Sequence, residues 1–157
     1  MTAPTALERN LTTTEPGETR ALGARLARAA EAGDLVCLWG ELGAGKTQFA
    51  KGFGEGLGVR ATINSPSFIL MAEYAGRLPL FHVDLYRLAG AAEAVAGGLL
   101  DERQAEGVTV IEWPERLEVA LPARRLDVIF SGSGDDPRRI SIRAGDPHLV
   151  RYLEAAL

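Results

Sequence analysis

Gly40-Glu41-Leu42-Gly43-Ala44-Gly45-Lys46-Thr47 matches G-x-x-x-x-G-K-[ST] at every fixed position. Its flanks suit the motif. Leu35-Val36-Cys37-Leu38-Trp39 is a short apolar run of strand type, and Thr47 to Leu57 can form a helix. A loop set between strand and helix turns the backbone N–H groups from Gly43 to Thr47 towards one anion, and the positive end of the helix dipole adds to them. Gly43 and Gly45 allow close approach with no Cβ in the way. Lys46 is expected to reach the β- and γ-phosphates of a nucleotide as a mobile point charge, and the Thr47 hydroxyl to hold Mg²⁺ on them. Lys46 and Lys51 are the only lysines, among 17 Lys and Arg, so a lysine here is not background composition.

Working outward, Leu7 to Thr13 reads as a short edge strand, and Glu15-Pro16-Gly17 as a turn. From Glu18 the apolar positions Leu22, Leu26, Ala29 and Ala30 recur at helical spacing until Gly33. After the loop, Ala50, Phe53 and Leu57 share a helix face, although Gly52, Gly54 and Gly56 each cost such a helix up to about 1 kcal/mol relative to alanine. Close packing against a neighbour is one explanation for them. Ser65-Pro66-Ser67-Phe68 opens a strand towards Tyr74, Ala75-Gly76-Arg77 reverses the chain, and Leu78 to Tyr86 returns as the second strand of a hairpin. Gly90 to Glu106 is alanine-rich and helical in propensity. Val108 to Ile111 is a buried-type strand ending in Glu112-Trp113-Pro114, with Pro114 in the first turn of a helix through Leu117. Arg125 to Ser131 and Arg138 to Arg143 form a hairpin, and Asp146 caps a terminal helix.

The bulk numbers narrow the function classes. At 157 residues the sequence makes one domain, residues 1–157, able to bury a core without disulfides or structural metal. A net charge of −4 provides no general field for DNA or an anionic membrane. No apolar run approaches membrane-spanning length, and Met1 to Asn10 has no signal-peptide core. The single Cys37 sits in an apolar strand and suits a reducing compartment, so a cytoplasmic protein is expected.

Hydrolysis needs a second hold on Mg²⁺ and a group that positions water. Asp84 and Glu112 each end an apolar strand, and in open α/β sheets ligands collect outside the carboxyl ends of strands. His82 lies two residues before Asp84 on the same strand face; its expected role is structural hydrogen bonding ahead of catalysis. Ser65 and Ser67 stand where switch segments sense a γ-phosphate, or are ordinary turn serines. Trp113 is either a core residue or a ring that closes over the nucleotide or a partner. Arg124, Arg125, Arg138 and Arg139 concentrate positive charge at the C-terminal hairpin, where solvated edge charges are the default reading.

Taken together, Gly40 to Thr47, Ser65-Pro66-Ser67-Phe68, His82-Val83-Asp84-Leu85-Tyr86-Arg87 and Glu112-Trp113-Pro114-Glu115 resemble the TsaE family, also called YjeE. The H-x-D-L-Y-R and E-W-P-E stretches carry the specificity; the phosphate loop is shared with many families. The resemblance implies an α/β fold of the P-loop NTPase kind, in three layers with a mixed β-sheet flanked by helices. It implies ATP and Mg²⁺ as cofactors and a weak Mg²⁺-dependent ATPase. The activity would serve N6-threonylcarbamoyladenosine (t6A) formation on tRNA together with TsaD and TsaB, with tRNA reached through the complex and threonylcarbamoyl transfer left to the partners. By match of motif, Gly40, Glu41, Leu42, Gly43, Ala44, Gly45, Lys46, Thr47 and the following Gln48 would bind nucleotide, as would Arg138. Lys46, Asp84 and Glu112 would be catalytic, and Thr47, Asp84 and Glu112 would hold the metal. The family usually shows Thr where this chain has Ser67, a change that keeps the hydroxyl. The turn near Pro16 matches a stretch that lies by the nucleotide base, without assignable roles.

Two rivals share the loop. A small-molecule or nucleotide kinase would need an arginine-bearing lid, and no long arginine-rich insertion follows the central strands. A non-hydrolysing nucleotide-sensing module would use nearly the same residues.

Overall fold

The strand before the loop and the helix after it form where the apolar patterns place them. In the computed structural model, which describes residues 7–41, 43–63, 71–87 and 102–156, β1 (Glu8–Thr13) leads into α1 (Pro16–Ala27). Glu18 Oε1 accepts from the Thr14 and Glu15 N–H groups at 2.7 and 3.2 Å, so α1 starts at Pro16, earlier than apolar spacing suggests. It also ends earlier than Gly33. An Arg77 guanidinium nitrogen donates to the Ala27 and Ala30 carbonyls at 3.0 and 3.1 Å and satisfies the frayed end. Strand β2 (Leu35–Trp39) then enters the loop, and α2 (Lys46–Gly56) leaves it.

The expected hairpin is β3 (Met71–Tyr74) against β4 (Leu80–Asp84), antiparallel with Tyr74 opposite Leu80. Ser65 to Phe68, and most of the helical stretch expected from Gly90, lie outside the described residues. The described end of that stretch, Glu102–Glu106, is a 3₁₀ turn. Strand β5 (Val108–Glu112) is followed by the expected helix through Leu117, which spans Pro114–Ala120, is 3₁₀ in kind and is broken at Glu118. Trp113 before it adopts a left-handed conformation (φ 61), so the chain turns sharply out of the strand. Strands β6 (Leu126–Ser131) and β7 (Arg138–Ala144) form the second hairpin. Asp146 caps a short 3₁₀ turn that runs into α3 (Val150–Ala155).

These strands make one seven-stranded mixed sheet in the order β1-β7-β6-β2-β5-β4-β3. Its centre, β6-β2-β5-β4, is parallel, and antiparallel strands close both sides, with β1 at an edge as expected. The fold is therefore α/β, a mixed sheet flanked by helices. On one face α1, α2 and α3 cover the main core, in which Leu22, Leu26, Leu38, Phe49, Phe53, Val128 and Tyr152 are buried. On the other, Val83, Leu85 and Ile111 pack with Leu117 of the 3₁₀ segment. Because β2, β4 and β5 run in parallel, the loop, Asp84 and Glu112 come out at the same sheet edge.

The helix glycines are explained by α1. A Cβ at Gly52 would overlap the Arg20 carbonyl, one at Gly56 the Ala24 carbonyl, and one at Gly23 of α1 the Phe49 carbonyl. The two helices touch backbone to backbone. Gly54 faces away from α1, against Ile63. Replacing Gly52 by alanine gains about 1 kcal/mol of helix propensity at most, and the overlap falls on a backbone oxygen that cannot step aside cheaply. Gly52→Ala is expected to lower stability by about 2 kcal/mol or more in urea denaturation. Gly17→Ala, in α1 but with open space around it, should be neutral or slightly stabilising.

Candidate functional site

The loop is held open by backbone conformations that side-chain-bearing residues rarely adopt: φ is 146 at Gly40, 81 at Gly43 and 102 at Gly45. A Cβ at Gly40 would lie 2.8 Å from the Phe130 carbonyl oxygen, whereas one at Gly43 would meet nothing. The wall is tight on the sheet side and open on the ligand side. Gly45 is the N-cap of α2 and offers no side-chain cap, so the first-turn N–H groups of α2 are left for a ligand. Leu42 lies outside the described residues.

Lys46, the first residue of α2, is 5% exposed. Its Nζ donates to the Gly40 carbonyl at 2.6 Å and lies 3.5 Å from the centroid of the Trp113 ring, a cation–π contact. Trp113 in turn packs on Tyr86, with ring centroids 5.0 Å apart. Burial pushes the ammonium below the usual lysine range, and the charges of Glu112, Glu115, Asp84 and Glu41 oppose that fall. Carbonyl and ring thus hold the amine within the loop, next to the place where phosphate would sit.

Asp84 and Glu112 face each other in the parallel pairing of β4 and β5. Glu112 is 3% exposed, and its Oε2 is 2.7 Å from Nε2 of the equally buried His82. His82 is thus a hydrogen-bond partner, as expected, and its partner is a candidate metal ligand. Asp84 Oδ1 accepts the Tyr86 N–H at 3.0 Å. Burial raises the Asp84 carboxyl above its ordinary range; the Tyr86 N–H works against the rise, and the charge of Glu112 adds to it. Among the described residues no three His, Cys, Asp or Glu side chains converge as a metal cage. The residues fit Mg²⁺ differently: a hydroxyl, two strand-end carboxylates and a phosphate loop suit a hard cation that takes part of its oxygen shell from phosphate and water.

Beside the loop is a cleft of about 280 Å³, lined by Thr14, Glu15, Pro16, Thr19, Gly43, Gly45, Gln48, Gly134, Asp135, Asp136 and Arg138. One Arg138 guanidinium nitrogen donates to the Gly43 carbonyl at 3.2 Å and the Gly134 carbonyl at 3.0 Å, and so joins the β6–β7 turn to the loop. The other hairpin arginines go elsewhere. Arg124 and Arg125 pair with Asp146 and Asp127, and Arg139 is exposed on β7. The wall from Thr14 to Thr19 contains the turn near Pro16 that the family resemblance set beside the nucleotide base, and Glu18 three residues after Glu15 marks the helix start that builds it. The meeting of Trp113 with Lys46 had no sequence signal, because it depends on β2 and β5 lying side by side.

A family model described as "Threonylcarbamoyl adenosine biosynthesis protein TsaE" matches residues 13–140. The chain belongs to the TsaE family. A Bacillus subtilis (strain 168) relative, named as the tRNA threonylcarbamoyladenosine biosynthesis protein TsaE, is 43% identical over 133 residues, covering 84% of this chain and 83% of that protein. The TsaE protein of Streptomyces coelicolor is 41% identical, over 78% of this chain and 88% of its own length. The crystal structure of YdiB from Bacillus subtilis superposes with a TM-score of 0.75 at 37% identity, covering 95% of this chain and 93% of that one. The mixed sheet described above is thus the P-loop architecture of TsaE, and no helix among the described residues is long and apolar enough to cross a membrane.

The raised carboxyl of Asp84 sets a stability test. A carboxyl whose pKa is higher folded than unfolded destabilises the fold when ionised, and the penalty disappears as pH falls through the folded value. Asp84→Asn keeps the oxygen that accepts the Tyr86 N–H. It should raise the Tm of the ligand-free protein at pH 7, with the gain over wild type shrinking as pH is lowered into the carboxylate range. Thermal melts at stepped pH read both parts.

Proposed function

We propose that this chain is the ATP-binding and ATP-hydrolysing subunit required for t6A at position 37 of tRNA, acting with TsaD and TsaB to turn over their complex. The observation that supports this most is the convergence of the glycine-held loop, the buried Lys46 and the Asp84–Glu112 pair at one sheet edge. The adenosine end of ATP would occupy the cleft between Pro16 and Arg138, and the phosphates would lie along Gly43 to Thr47 with Gln48 beside them. Thr47 and Glu112, with Asp84, would hold Mg²⁺, which when bound neutralises charge on the phosphates.

The protein's own part is positioning. Loop N–H groups and the start of α2 fix the phosphates, and Lys46 exchanges the Gly40 carbonyl for phosphate oxygen, to which an ammonium binds more strongly. Asp84, kept from full solvation, is placed to orient water for attack. Weak hydrolysis on this scaffold suits a conformational cycle, in which ATP binding and turnover reset the partners and this chain transfers no threonylcarbamoyl group. TsaE proteins act in tRNA modification by name, and tRNA is reached here through the complex.

ATP hydrolysis and multiple-turnover tRNA modification, measured with and without TsaD and TsaB, test the proposal. Lys46→Ala and Glu112→Ala should each lower hydrolysis by about two orders of magnitude and leave tRNA modification limited to a single round. Wild-type rates in both variants would overturn it. Phosphate transfer to a metabolite without protein partners would point to a kinase instead. Repeated modification supported by a non-hydrolysable ATP analogue would point to a sensing module.

A further inference from the structure

His82 is the most deeply buried ionisable side chain at the site, at 1% exposure. Its ring has one polar engagement among the described residues: Nε2 lies 2.7 Å from Glu112 Oε2, while Nδ1 is buried with no hydrogen-bond partner. A buried polar atom without a partner is a cost to the fold, so packing alone favours an apolar ring of similar size at this position. What an imidazole adds is an N–H directed at one carboxylate. The backbone explains why it reaches. Val110 is opposite His82 and Glu112 is opposite Asp84, so His82, Asp84 and Glu112 project from one face of two adjacent strands. The ring spans the diagonal between the strands.

We propose that His82 is a positioning residue for the metal-binding carboxylate. Its Nε2–H holds Glu112 Oε2 and fixes the side-chain rotamer, so that a divalent cation meets an oriented carboxylate with Oε1 as the oxygen to bind it. The inference rests on the reading of Glu112 as a metal ligand. Partners that orient a ligand in this way commonly change metal affinity ten- to a hundredfold when removed.

The experiment titrates Mn²⁺ into the ADP-loaded protein, following the loss of the free-ion EPR signal, alongside ADP affinity in EDTA and thermal melts. His82→Phe fills the space without a donor, and His82→Asn keeps polarity but is too short to reach; each should weaken Mn²⁺ binding at least tenfold with metal-free ADP affinity unchanged. His82→Gln, whose amide N–H can occupy the Nε2 position, should restore most of the affinity. In a Glu112→Gln background, which itself weakens Mn²⁺, replacing His82 should have no further effect. Wild-type Mn²⁺ affinity in a folded His82→Phe or His82→Asn variant would overturn the positioning role and leave Glu112 as a ligand. Unchanged Mn²⁺ affinity in Glu112→Gln alone would remove Glu112 from the metal site, and this inference with it.

Discussion

An ammonium taken almost wholly out of water organises the site. An unpaired buried cation costs several kcal/mol, so Lys46 can stand where it does only if acceptors surround it. They come from three parts of the chain. The Gly40 carbonyl comes from the end of β2, the Trp113 ring from just beyond β5, and the negative field from Glu112, Asp84 and Glu115 around the ends of β4 and β5. This arrangement requires β5 beside β2 and β4 beside β5, the order observed. The left-handed turn at Trp113 belongs to the same requirement, since it swings the ring out of the strand direction and over the amine. The geometry of the site and the order of the strands are one problem seen from two sides.

Around that centre the helices act as a frame. Backbone contact between α1 and α2 at Gly23, Gly52 and Gly56 leaves no side-chain layer between them to deform. Helix α1 begins at the cleft wall of Pro16 and α2 begins at the loop, so the frame ties the two walls together. The far end is fixed separately. Asp34, just before β2, accepts from the Tyr152 hydroxyl at 2.6 Å and from the Arg151 guanidinium, docking α3 against the strand that feeds the loop. Burial and the Asp34 bond push the Tyr152 hydroxyl well above its ordinary range, so it remains a donor.

Much of this was legible because it is local. The loop motif, the strand before it, both hairpins and the acids at strand ends are written in short windows, where apolar run length and turn residues decide the outcome. The extent of α1 was less legible: its start depends on a carboxylate reaching back to the N–H groups before it, and its end on Arg77 arriving from a distant turn. The 3₁₀ segment after Pro114 follows a left-handed turn at Trp113 that no local pattern announces. The residues hardest to foresee make contacts across the sheet. His82 was visible as a neighbour of Asp84, but its partner on β5 could be known only from the register of a parallel pair. For Gly52 and Gly56 close packing against a neighbour was one explanation in the sequence, but only the fold names α1 as that neighbour.

Arg138 stands at the first position of β7, and β7 is the strand against which β1 pairs, Thr13 opposite Arg138 and Glu8 opposite Arg143. The cleft beside the loop therefore has one wall from Thr14 to Thr19 and another from Gly134 to Arg138, far apart in sequence. Such contacts carry a long loop-closure cost. The loop and the cleft thus differ in range: the loop is written within one strand–turn–helix window, whereas the cleft exists only once β1 has paired with β7.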